Sequence, residues 1–183
     1  MSQQEKLGSL QPPRSTEEPA PEYVRIQDEL DEAQIEAETL GKALGDFVYS
    51  FSDNSGKTVT DLAYAGIRKV FLDYVKGPVR IIPCEHCHQD CHVDETESEL
   101  RGRIRMRDER RGKDVVGAAS ATKEFLSKDG KTKYPNKFAW AIVHGKSLRN
   151  AMRLLIDDEV AKQAIIAFQE KGKLAKSVTN SKS

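Results

Sequence analysis

Apolar and charged residues alternate along residues 100–107, and this alternation is the clearest structural signal in the chain. The even positions are apolar or glycine: Leu100, Gly102, Ile104 and Met106. The odd positions are all arginine: Arg101, Arg103, Arg105 and Arg107. Successive side chains of an extended strand point to opposite faces. The pattern therefore predicts a strand with a row of guanidinium groups on one face and an apolar stripe on the other.

A second strand is predicted over residues 114–125, where small and apolar residues follow a polar turn. The turn, residues 109–113, contains Arg110 and Arg111. Two extended segments joined by so short a polar connection pair as a hairpin. We therefore predict a basic β-hairpin spanning residues 100–125.

Residues 146–156 have a strongly helical pattern. The apolar face carries Leu148, Met152, Leu155 and Ile156. Three basic residues recur at i, i+3 and i+7 on another face: Lys146, Arg149 and Arg153. Because these cations lie away from the apolar stripe, we expect them to reach outward as a second basic line.

An amphipathic helix is predicted over residues 23–44, where apolar residues recur at alternating spacings of three and four, with Gly45 as its stop. Packing on its own domain is the favoured interpretation, and a heptad-type contact with another copy is the alternative. The flanking residues 1–21 and 171–183 are polar and are predicted to be disordered tails. A single domain is thus expected over residues 22–170.

Shorter signals complete the predicted fold. Residues 47–51 and 57–60 read as strands around a turn at residues 53–56, and a helix follows to about residue 75. Another strand is predicted at residues 79–83 and a last helix at residues 160–168. The order of elements predicts an α+β fold, in which a twisted antiparallel sheet with a basic hairpin is backed by helices.

Charge is distributed unevenly although the 29 basic and 29 acidic residues balance. Residues 1–48 carry a net charge of −7, residues 49–98 carry −3, and residues 99–183 carry +10. Arginine rows suit a polyanion because phosphates accept bidentate hydrogen bonds from Arg. The alternative is a solvated face, or one neutralised by acidic residues elsewhere in the chain. We favour polyanion binding.

Six potential metal ligands lie between residues 84 and 92: Cys84, His86, Cys87, His88, Cys91 and His92. The spacing Cys84-x-x-Cys87 suits two thiolates on one tetrahedral ion. The candidate ligand set is Cys84, Cys87, Cys91 and His92, with structural zinc as the candidate cofactor. Adjacent residues such as Cys91 and His92 rarely reach one ion together, so a metal-free loop with incidental thiols is slightly favoured over zinc.

Two catalytic motifs are incomplete. Gly56-Lys57-Thr58 lacks the earlier glycine of a phosphate-binding loop, since Phe51 occupies that position. No histidine precedes His86 to complete the zinc deaminase signature. Because no nucleophile and base stand in a recognisable context either, we expect a protein that is not an enzyme. Trp140, the single tryptophan, is expected in the core rather than stacked on a base.

An intracellular location without a membrane span is expected. The N-terminus has no apolar signal-peptide core, and no run of about 18 apolar residues occurs. The three clustered cysteines favour reduced thiols or a metal over a disulfide framework.

The run Lys146-Ser147-Leu148-Arg149-Asn150-Ala151-Met152-Arg153-Leu154-Leu155-Ile156, preceded by Phe138-Ala139 and the hairpin, resembles a segment of single-strand annealing and recombination-mediator proteins of phage and archaeal type. It departs from them at Leu148, where glutamine is common, and at Asp157, where proline is common. The resemblance covers about residues 47–168. It implies a β-β-β-α core in which a basic hairpin and helix line a groove for one DNA strand, often in a ring or filament.

The sequence therefore predicts binding of single-stranded DNA, with strand annealing in recombination, repair or replication as the extended hypothesis and a homo-oligomer as the expected assembly. The nucleic-acid contacts are expected from the arginine row, from Arg110 and Arg111, and from the second basic line. Two alternatives stay open. One is a zinc-containing interaction or regulatory module, and the other is a nucleic-acid enzyme whose site is not recognised.

Overall fold

The computed structural model describes residues 22–42, 46–52, 58–75, 77–127 and 131–171. The predicted tails, apart from Lys171, the turn at residues 53–56 and Gly45 lie outside these ranges. Within them the chain forms helices and antiparallel strands, so the predicted α+β fold is confirmed. In chain order the elements are α1 (Glu22–Thr39), β1 (Val48–Ser52), β2 (Thr58–Leu62), α2 (Tyr64–Tyr74), β3 (Val79–Ile82), β4 (Cys91–Glu95), β5 (Glu99–Asp108), β6 (Lys113–Thr122), β7 (Glu124–Leu126), β8 (Lys133–Pro135), α3 (Ala139–Leu155) and α4 (Asp158–Glu170).

The main sheet is built around β5, which pairs antiparallel with β6 along its whole length. On its other edge β5 pairs with β3 over residues 105–108 and with β4 over residues 100–104. The register is continuous, because Ile82 pairs with Arg105 and Cys91 pairs with the next residue, Ile104. β3 and β4 thus form one interrupted edge strand, and residues 83–90 leave it and return at the adjacent position.

Helix α3 covers the inner face of this sheet. Leu100, Ile104 and Met106 of β5 are buried there. Gly117 of β6 permits the close approach, since a Cβ at that position would lie 2.1 Å from the carbonyl oxygen of Ser147. A second apolar cluster joins α2 and α4 to the paired strands β1 and β2. The alternation along β5 therefore buries one side of the strand and leaves the arginine side on the outer face.

Helix α1 docks on α3 through ionic contacts and through Ile35, which packs against Gly145. Lys146 Nζ lies 3.0 Å from Glu32 Oε1 and 3.4 Å from Asp28 Oδ1. Arg149 Nε lies 3.2 Å from Asp31 Oδ2, and Asp31 also accepts a hydrogen bond from the backbone N–H of Tyr64. The expectation that Lys146 and Arg149 reach outward is therefore wrong, because their side chains are only 9% and 12% exposed.

The predicted boundaries of α1 also need correction. The helix ends at Thr39, and Gly41 adopts the left-handed conformation (φ +73°) that terminates helices. Leu40, placed in the predicted apolar stripe, is 60% exposed, whereas Ile35 and Asp31 are buried against the domain. The face that packs thus keeps Leu30 of the predicted stripe, which contacts the cluster of Tyr49 and Ala63, and adds Ile35 and Asp31.

Three further differences concern the second half of the chain. β6 ends at Thr122, after which the chain bends and forms a separate β7–β8 hairpin. Helix α3 begins at Ala139, about two turns before residue 146. Strand β4 was not predicted. Among the described residues, no helix combines the length and apolar character needed to cross a bilayer.

Replacing Arg149 with Ala leaves the Asp31 carboxylate buried without its cation, and we expect the free energy of unfolding to fall by about 3–5 kcal/mol near neutral pH. Burial raises the pKa of Asp31 to about 6, against the opposing effects of Arg149 and the Tyr64 N–H. Folding thus favours the protonated carboxyl, and stability from this group decreases as pH rises from about 4 to 6. The cost of the substitution should accordingly shrink at acidic pH, where Asp31 is neutral with or without Arg149.

Chemical denaturation across this pH range measures the effect. Arg101→Ala is the control, because this side chain is 65% exposed and its loss should change stability by no more than about 0.5 kcal/mol. An Arg149→Ala protein as stable as the Arg101→Ala control near neutral pH would show that the buried pair does not hold α1 in place.

Candidate functional site

The outer face of the sheet carries the predicted arginine row. The side chains of Arg101, Arg103, Arg105 and Arg107 are 65%, 56%, 46% and 41% exposed. Alternate residues of a strand lie about 6.8 Å apart, so the four guanidinium groups are regularly spaced. Their cross-strand neighbours on β6 are, in the same order, Ser120, Ala118, Val116 and Asp114. Three of these neighbours, Ser120, Ala118 and Val116, are small or apolar and extend less far from the sheet than the arginine side chains beside them.

Each arginine of the row has a carboxylate partner. Arg101 pairs with Glu99, and Arg103 donates to Asp94 Oδ2 at 2.9 Å. Asp114 serves two arginines, since its oxygens lie 2.6 Å from Arg105 Nη2 and 3.6 Å from Arg107 Nε. The hydrogen bond from Arg105 is the main cause that lowers the pKa of Asp114. The four arginines of the row are thus exposed to solvent and also form ion pairs, with three carboxylates between them.

The basic turn between β5 and β6 contacts the C-terminal end of α3. Lys113 Nζ donates to the Leu154 carbonyl at 2.8 Å, and Arg111 donates to the Leu155 carbonyl and to Asp157. These contacts satisfy carbonyl groups that the helix terminus leaves without partners. Arg111 is therefore held by the scaffold. Arg110 lies in the same turn and is exposed.

The second predicted basic line does not share a groove with the arginine row. Helix α3 packs on the inner face of the sheet, so the sheet itself separates the two sets of cations. Lys146 and Arg149 face α1, and Arg153 Nη2 donates to Asp158 Oδ1 at the start of α4. The structure brings together the four arginines of the row, whereas Arg111 and the predicted cations of α3 are held by contacts elsewhere in the domain.

A Cys-His loop, defined as residues 83–90 together with His92, lies beside the row. Cys84 Sγ is 3.3 Å and Cys87 Sγ is 3.5 Å from His92 Nδ1. The loop is closed by two backbone hydrogen bonds, from Cys84 N–H to the Gln89 carbonyl and from His88 N–H to the Cys84 carbonyl. Backbone N–H groups of Cys87 and, to a lesser extent, His86 lower the pKa of the Cys84 thiol to about 7. The loop therefore brings two thiols and one imidazole nitrogen together.

Cys91 does not belong to this group, which corrects the predicted ligand set. Its side chain is buried on the inner face, beside Gly102, and burial raises the pKa of its thiol. The adjacent His92 points to the outer face, because neighbouring residues of β4 alternate. Among the described residues, Cys84, Cys87 and His92 form the one cluster of potential ligands with all its donor atoms within 4.8 Å of one another.

A short chain of contacts links the Cys-His loop to the arginine row. His92 Nε2 lies 3.0 Å from Asp94 Oδ1, and the other oxygen of Asp94 accepts from Arg103. The hydrogen bond with His92 is the largest cause that lowers the pKa of Asp94. A cavity of about 370 Å³ lies at the same place, lined by Cys84, His92, Arg103, Arg105 and Val116 among others. A second hollow of about 580 Å³ continues past Arg101 and Arg103.

Exposed aromatic residues follow β6 along the chain, after the residue of that strand that pairs with Glu99. Phe125 and Tyr134 are direct cross-strand partners in the β7–β8 hairpin and are 43% and 54% exposed. Trp140 is 58% exposed at the start of α3, so its expected place in the core is wrong. Its position in the first turn of a helix, on the face away from the sheet, accounts for the exposure.

Strand β4 contributes His92 and Asp94 beside the arginine row, and neither position was expected there from the sequence. The alternation Cys91-His92-Val93-Asp94 is the signal for this strand. The density of potential metal ligands in the same residues favours a loop instead, and it conceals the alternation.

Comparison of the chain with protein-family models, with curated proteins and with solved structures found no match in any of the three. The resemblance to single-strand annealing proteins accordingly stays a prediction from the sequence.

Proposed function

We propose that the outer face of the β5–β6 hairpin binds single-stranded DNA through its phosphate groups. The observation that carries this proposal is the exposed, regularly spaced arginine row on an outer face that no helix of the described chain covers. One line of guanidinium groups follows one phosphate backbone, whereas a duplex presents two. Single-stranded DNA is therefore the preferred ligand over duplex DNA.

The carboxylate partners of the row do not prevent this binding. Exposed ion pairs contribute about 0–1 kcal/mol each, because solvent screens them and both side chains lose entropy. A phosphate accepts the same bidentate hydrogen bonds from Arg that a carboxylate accepts. Asp94, Glu99 and Asp114 thus hold the arginines in place until a phosphate replaces them. The one arginine in excess leaves the row attractive to anions.

Base stacking and assembly are further parts of the proposed function. Phe125 and Tyr134, in the hairpin that follows β6, offer exposed rings on which bases stack, an interaction that contributes about 1–3 kcal/mol per base in single-strand binding proteins. The proposal extends to annealing of complementary strands and to assembly of several copies. It also places the protein in the reducing interior of a cell, where Cys84 and Cys87 stay as thiols. No bond-making or bond-breaking step is required.

Arg103→Glu combined with Arg105→Glu should abolish binding to a labelled single-stranded oligonucleotide in fluorescence anisotropy, since two central cations become anions. For the milder pair Arg103→Ala and Arg105→Ala, the slope of log affinity against log salt should become shallower by about 1.4, at about 0.7 for each phosphate that the protein no longer neutralises. The matched control is Lys162→Glu with Lys171→Glu, which changes net charge equally at exposed positions at and just beyond α4. Equal losses of affinity in the Arg103→Glu/Arg105→Glu protein and in this control would mean that net charge alone, and not this face, determines binding.

Asp114→Asn should have the opposite effect. The substitution removes the carboxylate that serves Arg105 and Arg107, so both guanidinium groups become free for phosphate, and we expect several-fold tighter binding at low salt. Asp73→Asn is the control, because it removes one negative charge from an exposed ion pair on α2. Weaker binding in the Asp114→Asn protein would show that the paired arrangement, rather than free arginine, recognises the ligand.

A further inference from the structure

We propose that Cys84, Cys87 and His92 bind one zinc ion through the two thiolates and the imidazole Nδ1. The ion would lie where the Cys-His loop meets the edge of the sheet, next to the arginine row. This site differs from the predicted four-ligand set, since Cys91 lies on the opposite face of β4. It is independent of the proposed nucleic-acid function.

The distances between the donor atoms fit a tetrahedral zinc ion. With Zn–S near 2.3 Å and Zn–N near 2.0–2.1 Å, a tetrahedral site separates sulfur from nitrogen by about 3.5 Å. The separations from His92 Nδ1 are 3.3 Å for Cys84 Sγ and 3.5 Å for Cys87 Sγ. Two soft thiolates with one imidazole are a donor set typical of zinc.

The backbone of the loop holds the two cysteines in place. Two backbone hydrogen bonds close the loop, from the Cys84 N–H to the Gln89 carbonyl and from the His88 N–H to the Cys84 carbonyl. His88, directly after Cys87, adopts the left-handed conformation (φ 57°) that turns the chain back toward Gln89. The continuous register of β3 and β4 anchors both ends of the loop, so the two cysteines are positioned by the sheet.

His92 is oriented as a metal ligand. Its Nε2 lies 3.0 Å from Asp94 Oδ1, and a carboxylate there accepts a hydrogen bond from the Nε2–H group. The proton on Nε2 leaves the lone pair of Nδ1 free toward the two sulfur atoms. A carboxylate on the far nitrogen is the usual partner of a zinc-bound histidine, since it fixes the tautomer and the ring orientation. Arg103 holds Asp94 in turn, so a zinc ion would brace the arginine row.

The fourth coordination position is open. No further Cys, His or carboxylate donor among the described residues joins the three-atom group. The cavity lined by Cys84, His92, Arg103 and Arg105 lies at the site, and it admits a water molecule. Zinc sites with three protein ligands keep such a position for water or for an exogenous oxygen ligand.

Cobalt substitution tests the site on the full chain. The reduced protein is freed of metal with a chelator and titrated with Co²⁺, whose absorption spectrum reports tetrahedral geometry and thiolate ligands. We expect a thiolate-to-cobalt charge-transfer band that saturates at about one equivalent and disappears on addition of Zn²⁺. Cys84→Ser and Cys87→Ser should each weaken or abolish the band, whereas Cys91→Ala should retain it. Asp94→Asn should lower the affinity for Zn²⁺ by about 10–100-fold.

The absence of a charge-transfer band in the wild-type protein would overturn the proposal without reference to any variant. Equal loss of the band in Cys91→Ala and Cys84→Ser proteins would also overturn it, because the ligand set would then be different. A Cys84–Cys87 disulfide found by mass spectrometry in protein purified under reducing conditions would count against zinc as well.

Discussion

Side-chain alternation along β5 is the constraint on which the rest of the structure depends. The even residues are buried under α3, where Gly102 and Gly117 allow the helix to approach the sheet closely. The odd residues therefore face outward, and all four from 101 to 107 are arginine. Because burial of the apolar stripe fixes the register, it also fixes the backbone positions from which the arginine row projects.

The environment of each cation shows whether it stabilises the fold or stays exposed to solvent. Lys146 and Arg149 are desolvated between α1 and α3, and removal of either leaves an acidic partner on α1 without its cation. The pairs on the outer face are exposed and exchangeable, so the same residue type serves a different purpose there. The acidic α1 therefore neutralises Lys146 and Arg149 within the domain, whereas the arginines of the row stay exposed on the outer face.

The hairpin could be predicted well from the sequence because a period of two specifies both the strand and its faces. The burial of Lys146 and Arg149 could not, since helical periodicity places them on one face without saying what packs against it. The acidic residues Asp28, Asp31 and Glu32 lie more than a hundred positions away, and nothing local pairs them with α3. Cys91 is wrongly predicted as a ligand for a similar reason, because spacing along the chain does not reveal which face of β4 a residue occupies.

The Cys-His loop and the arginine row are physically connected through Asp94, which contacts both His92 and Arg103. A metal ion at the loop would orient His92, hold Asp94 and so limit the freedom of one arginine in the row. The interrupted edge strand is what makes this connection possible, since it returns the chain to β5 directly after the loop.

The most direct test of the central claim is an NMR spectrum of the arginine Nε–Hε groups during addition of a single-stranded oligonucleotide. We expect the signals of Arg101, Arg103, Arg105 and Arg107 to shift together and saturate, while the signal of buried Arg149 stays in place. Shifts confined to arginines outside the row, with the four row signals unchanged, would contradict the claim that this face binds nucleic acid.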